Sequence, residues 1–139
     1  MVKCCCPQLL IVDDNSFNVL VIKGFLKGNA SICDEAVNGK EAIDKVIKKT
    51  KSDCCKGYKV ILMDLNMPIM DGITATKKIR SKVSKSKVPS TPIVALTAAA
   101  LSPEEEHELQ HDIGFDICQM KPITKDNFLR ILNKYSIPY

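Results

Sequence analysis

Apolar residues along the chain follow two alternating patterns. Five short, nearly continuous apolar runs are separated by longer stretches in which apolar residues recur every three or four positions. Continuous runs are typical of strands buried on both faces of a sheet, and the wider spacing is typical of amphipathic helices. The pattern therefore predicts five strands that alternate with five helices. The predicted strands are residues 8–12, 31–36, 60–63, 93–97 and 116–120.

Polar residues and glycines between the runs indicate where the helices begin and end. Ser16, Ser102 and Thr124 can each cap a helix, and Ser102 precedes a proline and a glutamate in the order of a capping box. Gly28 and Gly114 are placed to end the first and fourth helices. The third helix is expected over residues 72–82, with three inward side chains, Ile73, Thr76 and Ile79.

This alternation restricts the fold. Strands that are apolar throughout need helices on both faces of the sheet, so the sheet is expected to be parallel. Right-handed crossovers then lead to a doubly wound, three-layer α/β sandwich. The chain has 139 residues, which suits one domain. We assign residues 8–139 to that domain and residues 1–7 to an N-terminal extension.

The composition is that of an ordinary globular chain, with 45% hydrophobic residues, 26% charged residues and a net charge of +4. No apolar run approaches the length of a membrane span, so we expect no contact with a membrane. The N-terminus has neither the apolar core of a signal peptide nor a glycine for myristoylation. The basic run at residues 77–87 lacks interleaved aromatic residues, and we expect a solvated helix end there, not a nucleic-acid surface.

Seven cysteines occur, an odd number without C-x-x-C spacing, which argues against a disulfide framework or a cysteine-based zinc site. We therefore expect a reducing, cytoplasmic setting. Cys33 and Cys118 fall in predicted strands and are expected to be buried apolar side chains. The cysteines at residues 4–6 are left without an assigned role.

Four of the five predicted strands end on polar residues suited to one task. Taken alone, each such residue is as common in a helix cap, a turn or a surface loop as it is in a functional site. The carboxyl ends of parallel strands share one edge of the sheet, however, and open α/β sheets bind their ligands at that edge. The residues are Asp13 and Asp14 after the first strand, Asp64 after the third, Thr97 at the end of the fourth and Lys121 after the fifth.

Three carboxylates at one edge would repel one another unless a cation lay between them. Mg²⁺ suits such a site because it binds a few carboxylates and keeps water molecules that a phosphate can replace. Lys121 adds a compact positive charge, and Thr97 adds a hydroxyl donor. The pattern therefore indicates a site that holds a phosphoryl group against a carboxylate nucleophile, and an aspartate can be that nucleophile.

These residues lie in motifs that resemble a known family. Over about residues 8–134, the chain resembles the receiver domain of two-component response regulators, and most closely the receivers of hybrid sensor histidine kinases. The resemblance implies a flavodoxin-like sandwich with strand order 2-1-3-4-5. The motifs are Ile-Val-Asp-Asp-Asn at residues 11–15, Met-Asp-Leu-Asn-Met-Pro-Ile-Met-Asp-Gly at 63–72, Pro-Ile-Val-Ala-Leu-Thr-Ala at 92–98 and Lys-Pro-Ile at 121–123.

The resemblance also implies a role for each site residue. Asp64 would be the phosphoacceptor, Thr97 the switch hydroxyl, and Lys121 the bridge to the phosphoryl oxygens. Mg²⁺ would be the cofactor. By this resemblance, Asp14 would bind the ion directly and Asp13 through water. The other ligands would be Asp64 and the backbone carbonyl of Asn66.

A phosphorelay role follows from the resemblance. The expected partner is a histidine kinase or a histidine phosphotransfer protein, and the expected state is a monomer. The domain would catalyse its own phosphorylation and dephosphorylation without being a stand-alone enzyme, and it could be part of a hybrid kinase. Two features depart from the family. Cys118 stands where the family usually has tyrosine or phenylalanine, and the loop before the third strand is longer than usual.

Three alternatives remain at this point. A phosphatase with an aspartyl-phosphate intermediate would share the metal, the aspartate and the lysine, but it usually needs a second acid two residues after the nucleophile, where this chain has Asn66. A flavin-binding electron carrier could share the fold, but Asp13 and Asp14 would repel its phosphate. A non-phosphorylated interaction module would have no use for the acids and the lysine.

Overall fold

The computed structural model describes residues 6–52, 55, 57–85 and 88–139, and it places five parallel strands in one sheet in the order β2-β1-β3-β4-β5. Helices alternate with the strands, as the apolar pattern predicts. The strands are β1 (Leu9–Val12), β2 (Cys33–Ala36), β3 (Val60–Asp64), β4 (Ile93–Thr97) and β5 (Ile117–Met120). The helices are α1 (Ser16–Gly24), α2 (Gly39–Lys49), α3 (Gly72–Ser84), α4 (Pro103–His107) and α5 (Lys125–Lys134).

Alternate residues of the central strands face opposite layers of the sandwich. Leu9 and Ile11 pack with α1 and α5, whereas Leu10 and Val12 pack with α2 and α3. The residues of β1, β3 and β4 are buried throughout. Burial on both faces explains why these strands read as continuous apolar runs. The predicted three-layer sandwich is confirmed.

The first helix differs from the sequence prediction at both ends. Asn15, not Ser16, is the N-cap, because its Oδ1 accepts hydrogen bonds from the backbone N–H of Phe17 at 2.9 Å and of Asn18 at 3.4 Å. The α-helix ends at Gly24, four residues before the predicted stop at Gly28. Asparagine and serine are comparable N-caps, so the sequence alone did not separate them.

The second strand is shorter than predicted. Residues Ala30–Ile32 form a single 3₁₀ turn, and β2 begins only at Cys33. β2 lies at the edge of the sheet, and its residues are half-buried or exposed apart from Ala36. Little apolar burial is therefore available to stabilise a longer strand. Cys33 and Cys118, which were predicted to be buried apolar side chains, are both half-buried.

The fourth helix starts as predicted and continues in an unexpected form. Ser102 and Glu105 form the capping box, with the Ser102 Oγ accepting from Glu105 N at 3.1 Å and Glu105 Oε1 accepting from Ser102 N at 3.2 Å. From Glu108 to Ile113 the chain winds as a π-helix, and it ends at Gly114 with φ of 109°. Thr124 caps α5 as predicted.

The basic run at residues 77–87 contains both exposed lysines and an arginine that holds neighbouring segments together. Lys77 and Lys78 are exposed, but Arg80 is not a free surface cation. Its guanidinium donates to the carbonyls of Gly114 and Thr91, at 2.9 and 2.8 Å, and pairs with Asp116 at 2.9 Å. Ser86 and Lys87 lie outside the described residues. Within the part of the chain that the structure describes, no helix has the length and apolar character needed to cross a membrane.

Candidate functional site

Asp64 lies at the centre of the carboxyl edge of the sheet. It is the last residue of β3, which pairs with β1 on one side and β4 on the other. Because both neighbouring strands cover it, the residue is only 1% exposed. The backbone N–H of Asn66 donates to Asp64 Oδ1 at 3.2 Å, so the turn after the strand fixes one carboxylate oxygen.

The three predicted acids converge at this edge. Asp13, Asp14 and Asp64 each offer a carboxylate oxygen, and these atoms lie within 4.8 Å of one another. Asp13 is buried and Asp14 is exposed. Oxygens at this spacing suit a hard divalent cation, which prefers carboxylate and carbonyl ligands.

Asp13 is held by the start of α1. Its carboxylate accepts from the backbone N–H of Asn15 at 2.9 Å and from the side-chain amide of Asn18 at 3.3 Å. Burial raises the pKa of Asp13, and the charge of Asp64 acts in the same direction. The Asn15 hydrogen bond, Lys121 and Asn18 oppose this rise in pKa. The charged carboxylate therefore sits where a bound cation would stabilise it.

Lys121 supplies the positive charge of the site. Its Nζ donates to Asp64 Oδ1 at 3.0 Å, and its backbone N–H donates to the carbonyl of Thr97 at 2.7 Å. The second contact ties the loop after β5 to the end of β4. The lysine thus reaches the Asp64 carboxylate from the strand two positions away in the sheet.

Thr97 is at the predicted edge, but its hydroxyl has another partner. Thr97 is 5% exposed, and its Oγ1 donates to the carbonyl of Ala99 at 3.0 Å. The sequence pattern predicted the location of Thr97 correctly. The rotamer of its side chain and its hydrogen bond, in contrast, depend on the conformation of the loop that follows. The structure therefore brings together Asp13, Asp14, Asp64, Asn66 and Lys121, with Thr97 adjacent to them and bonded elsewhere.

Two features of the site were not assigned from the sequence. Asn18 contacts Asp13, and its place one helical turn after Asn15 is the signal that could have indicated this contact. A cleft of about 340 Å³ lies between α1 and the loop after β5. Its lining includes Asp13, Phe17, Val21, Lys121 and Pro122.

Comparison with known proteins gives a consistent result. The family model described as "Response regulator receiver domain" matches residues 9–133. Among curated proteins, Hybrid signal transduction histidine kinase L of Dictyostelium discoideum is 31% identical over 128 residues, which cover 92% of this chain and 7% of that protein. The chain spans between 7% and 17% of the first four curated relatives it matches.

Two solved structures are similar in both sequence and fold. The receiver domain of sensor histidine kinase PA1611 from Pseudomonas aeruginosa PAO1, with a magnesium ion in its active site cleft, is 31% identical, with a TM-score of 0.70 and coverage of 91% of this chain and 94% of that one. The receiver domain of Ssk1 bound to the histidine phosphotransfer protein Ypd1, from Saccharomyces cerevisiae, is 30% identical, with a TM-score of 0.69 and coverage of 91% and 83%. This chain belongs to the response regulator receiver domain family.

Proposed function

We propose that this protein accepts a phosphoryl group on Asp64 from a phosphohistidine of a partner protein, as one step of a His-Asp phosphorelay. The observation that carries the proposal is the contact of Lys121 Nζ with Asp64 Oδ1 at 3.0 Å, beside two further aspartates. A carboxylate held between a lysine and an acid cluster can act as a nucleophile toward phosphorus.

The transfer forms one bond and breaks one. A carboxylate oxygen of Asp64 attacks the phosphorus, the phosphorus–nitrogen bond breaks, and the imidazole nitrogen of the partner leaves with the electron pair. Such transfers have a loose transition state, so positioning and charge neutralisation supply most of the rate. Lys121 offsets charge on the phosphoryl oxygens, and the N–H of Asn66 orients the carboxylate. Attack of water on the phosphorus later breaks its bond to the carboxylate oxygen, which releases inorganic phosphate and returns Asp64 to its free carboxylate.

We also propose Mg²⁺ as the cofactor of this site. The ligands would be Asp14 directly, Asp13 through water, Asp64, and the backbone carbonyl of Asn66. The all-oxygen donor set fits a hard cation. Burial raises the pKa of Asp13 and the charge of Asp64 adds to this rise, so a bound cation would stabilise the charged carboxylate. When bound, Mg²⁺ would neutralise charge on the phosphoryl oxygens.

Thr97 would couple the phosphoryl group to the rest of the domain. Its hydroxyl donates to the carbonyl of Ala99, so turning toward the phosphoryl group would break that hydrogen bond. The loop at residues 98–102 would then lose a contact that holds it. We propose that this loss shifts an equilibrium between two arrangements of the β4–α4 and β5–α5 region.

The surface beside the site suits a partner helix that carries the phosphohistidine. Phe17 and Leu20 on α1 are each 67% exposed, and Val21 is 39% exposed. Phe17 and Val21 border the cleft that also reaches Asp13 and Lys121, and Leu20 lies on the same helix. Exposed apolar side chains grouped next to reactive groups are typical of interaction sites. We propose that a histidine kinase or histidine phosphotransfer protein docks an amphipathic helix here.

We further propose that the domain works as a monomer in the cytoplasm, either within a hybrid kinase or alone. The seven cysteines without framework spacing support a reducing compartment. The match covers only 7% of Hybrid signal transduction histidine kinase L, so in that relative the similar region is a small part of a larger protein. This supports the arrangement within a hybrid kinase as one of the two possibilities.

The acceptor is tested by intact mass after incubation with acetyl phosphate and Mg²⁺. The wild-type protein should gain one phosphate that is released in alkali, and Asp64→Asn should gain none. Asp44→Asn is a matched control because Asp44 is exposed on α2, away from the sheet edge. Equal phosphorylation of Asp64→Asn and the wild type would disprove the acceptor assignment.

The metal site is tested separately by titration with Mg²⁺. Asp14→Ala should weaken Mg²⁺ binding and abolish phosphorylation, because it removes an exposed direct ligand without disturbing the core. Lys121→Ala should still bind Mg²⁺ while slowing phosphorylation. An unchanged titration in Asp14→Ala would exclude this residue as a ligand.

A further inference from the structure

The fourth helix carries a histidine pair that the acceptor site does not use. His107 is the last residue of α4, and His111 lies in the π-helical segment that continues it. Residues 107–111 read His-Glu-Leu-Gln-His. This H-E-x-x-H spacing on a helix places two imidazoles on one face, where they can bind one zinc ion. In the structure, the centroids of the two rings lie 4.2 Å apart.

The backbone under this pair is fixed by the core. Leu109 and Ile113 are 7% and 8% exposed, and they pack into the layer formed by α2 and α3. The backbone N–H groups of Gly114 and Phe115 both donate to the carbonyl of Leu109, at 3.0 and 2.9 Å. His107 and His111 are both exposed. The two rings are therefore presented to solvent side by side by an anchored segment.

The charge around the pair favours a cation. The segment from residue 103 to residue 113 contains no lysine or arginine. Its acidic side chains are all exposed, so they create a negative field at the surface. They are Glu104, Glu105, Glu106, Glu108 and Asp112.

We propose that His107 and His111 bind Zn²⁺ at a two-histidine site whose remaining coordination positions are filled by water. Neutral imidazole nitrogen is a preferred ligand of Zn²⁺, whereas Mg²⁺ selects oxygen, so the histidine pair and the aspartate cluster select different metals. This site is independent of phosphoryl transfer to Asp64.

The site differs from a zinc protease in its ligand count. Catalytic zinc sites have three protein ligands, and this chain has two histidines in all. Among the described residues, the group of three or more potential ligands placed to share an ion is the aspartate cluster, which does not include the histidines. We therefore assign metal binding to the pair and no hydrolytic activity.

The experiment is a Zn²⁺ titration followed by NMR of the imidazole nitrogens, with excess Mg²⁺ present to occupy the aspartates. Because the chain has two histidines, every imidazole signal belongs to the pair. Zinc bound by cysteines therefore does not contribute to these signals. Both rings should shift along one common binding curve. In His111→Gln, the response of His107 should need at least about tenfold more Zn²⁺, because the second ligand is no longer supplied within the same molecule.

Asp112→Asn is the matched control, since it removes a neighbouring charge and keeps both imidazoles. The common binding curve should persist in this variant. Rings that do not respond to Zn²⁺ in the wild type would overturn the proposal. An equal response of His107 in the wild type and in His111→Gln would also overturn it, because the imidazoles would then bind independently.

Discussion

Gly72 has no side chain, and this lets the start of α3 approach the backbone of Asp64 closely. A Cβ at this residue would lie 2.2 Å from the carbonyl oxygen of Asp64 and 3.0 Å from Cγ of Met63. The N–H of Gly72 also donates to the carbonyl of Leu65 at 3.1 Å. The start of α3 therefore lies directly against the end of β3, and backbone atoms at that contact cannot move aside cheaply. The close approach explains why glycine follows Asp71, the N-cap of α3.

Gly72→Ala should therefore destabilise the protein by about 1–3 kcal/mol, the usual cost of forcing extra volume into a packed site. It should also slow phosphorylation of Asp64, since the end of β3 must shift. Urea unfolding measures the first effect and intact mass the second. Gly24→Ala is the control, because a Cβ there meets no atom within 4 Å. Equal unfolding midpoints for Gly72→Ala and the wild type would contradict the close approach as a constraint.

At the scale of elements, burial decided which boundaries the sequence could predict. The strand β4 begins and ends where its apolar run does, because both of its faces are covered. The edge strand β2 was overpredicted, since half-exposed residues give a weak apolar signal. The π-helical turns from Glu108 to Ile113 carry the same apolar spacing as an α-helix over so short a stretch, so the pattern did not distinguish the two forms.

The edge strand is tied to the sheet by a buried tyrosine. Tyr58 is 5% exposed, and its hydroxyl donates to Asp34 Oδ2 at 2.6 Å, which connects β2 with the segment before β3. Lys49 Nζ lies 4.9 Å from the centre of the Tyr58 ring. Burial raises the pKa of Tyr58, and the hydrogen bond to Asp34 raises it further.

Tyr58→Phe should cost about 1.5–3 kcal/mol of folding stability at neutral pH, because it removes one hydrogen bond to a carboxylate. The pH dependence should also change. An unfolded tyrosine ionises near pH 10, whereas folded Tyr58 stays protonated above it, so stability is lost as the pH rises above about 10. This loss should be less steep in Tyr58→Phe. Urea unfolding from about pH 8 to about pH 11 measures both effects.

The exposed C-terminal tyrosine provides the control for this comparison. Tyr139 is 51% exposed, and Tyr139→Phe should leave stability at neutral pH unchanged. If Tyr58→Phe and Tyr139→Phe unfolded at the same urea concentration, the Tyr58–Asp34 hydrogen bond would contribute nothing measurable to stability.

At the scale of the whole molecule, strand order made the site predictable. Once the sheet is parallel, the ends of β1, β3 and β5 must share an edge, and this brought Asp13, Asp64 and Lys121 together as expected. Side-chain direction does not follow from strand order. The hydroxyl of Thr97 bonds to Ala99, because the conformation of the following loop places that carbonyl within reach. The sequence pattern contains no information on that conformation.

Under the proposed function, the surroundings of Thr97 would transmit the signal, and these include Cys118 on β5. A small cavity of about 110 Å³ is lined by Thr97, Leu101, Glu106 and Cys118, among others. Burial raises the pKa of the Cys118 thiol, and the charge of Glu106 acts in the same direction, so the side chain is a small neutral group. A thiol fills much less volume than an aromatic ring, and its rotation reshapes little surface. The loop at residues 98–102 and α4 should therefore carry most of the signal.

Cys118→Ala should accordingly change the coupling between phosphorylation and partner affinity by less than roughly 1 kcal/mol, the low end of allosteric coupling. The measurement is partner affinity with and without beryllofluoride, which mimics the phosphoryl group, in both proteins. Cys33→Ala is the matched control, because it removes a half-buried thiol from β2, at the opposite edge of the sheet. If Cys118→Ala abolished the difference between the two states while Cys33→Ala kept it, the thiol itself would be part of the switch. Displacement of the loop would then not be sufficient to carry the signal.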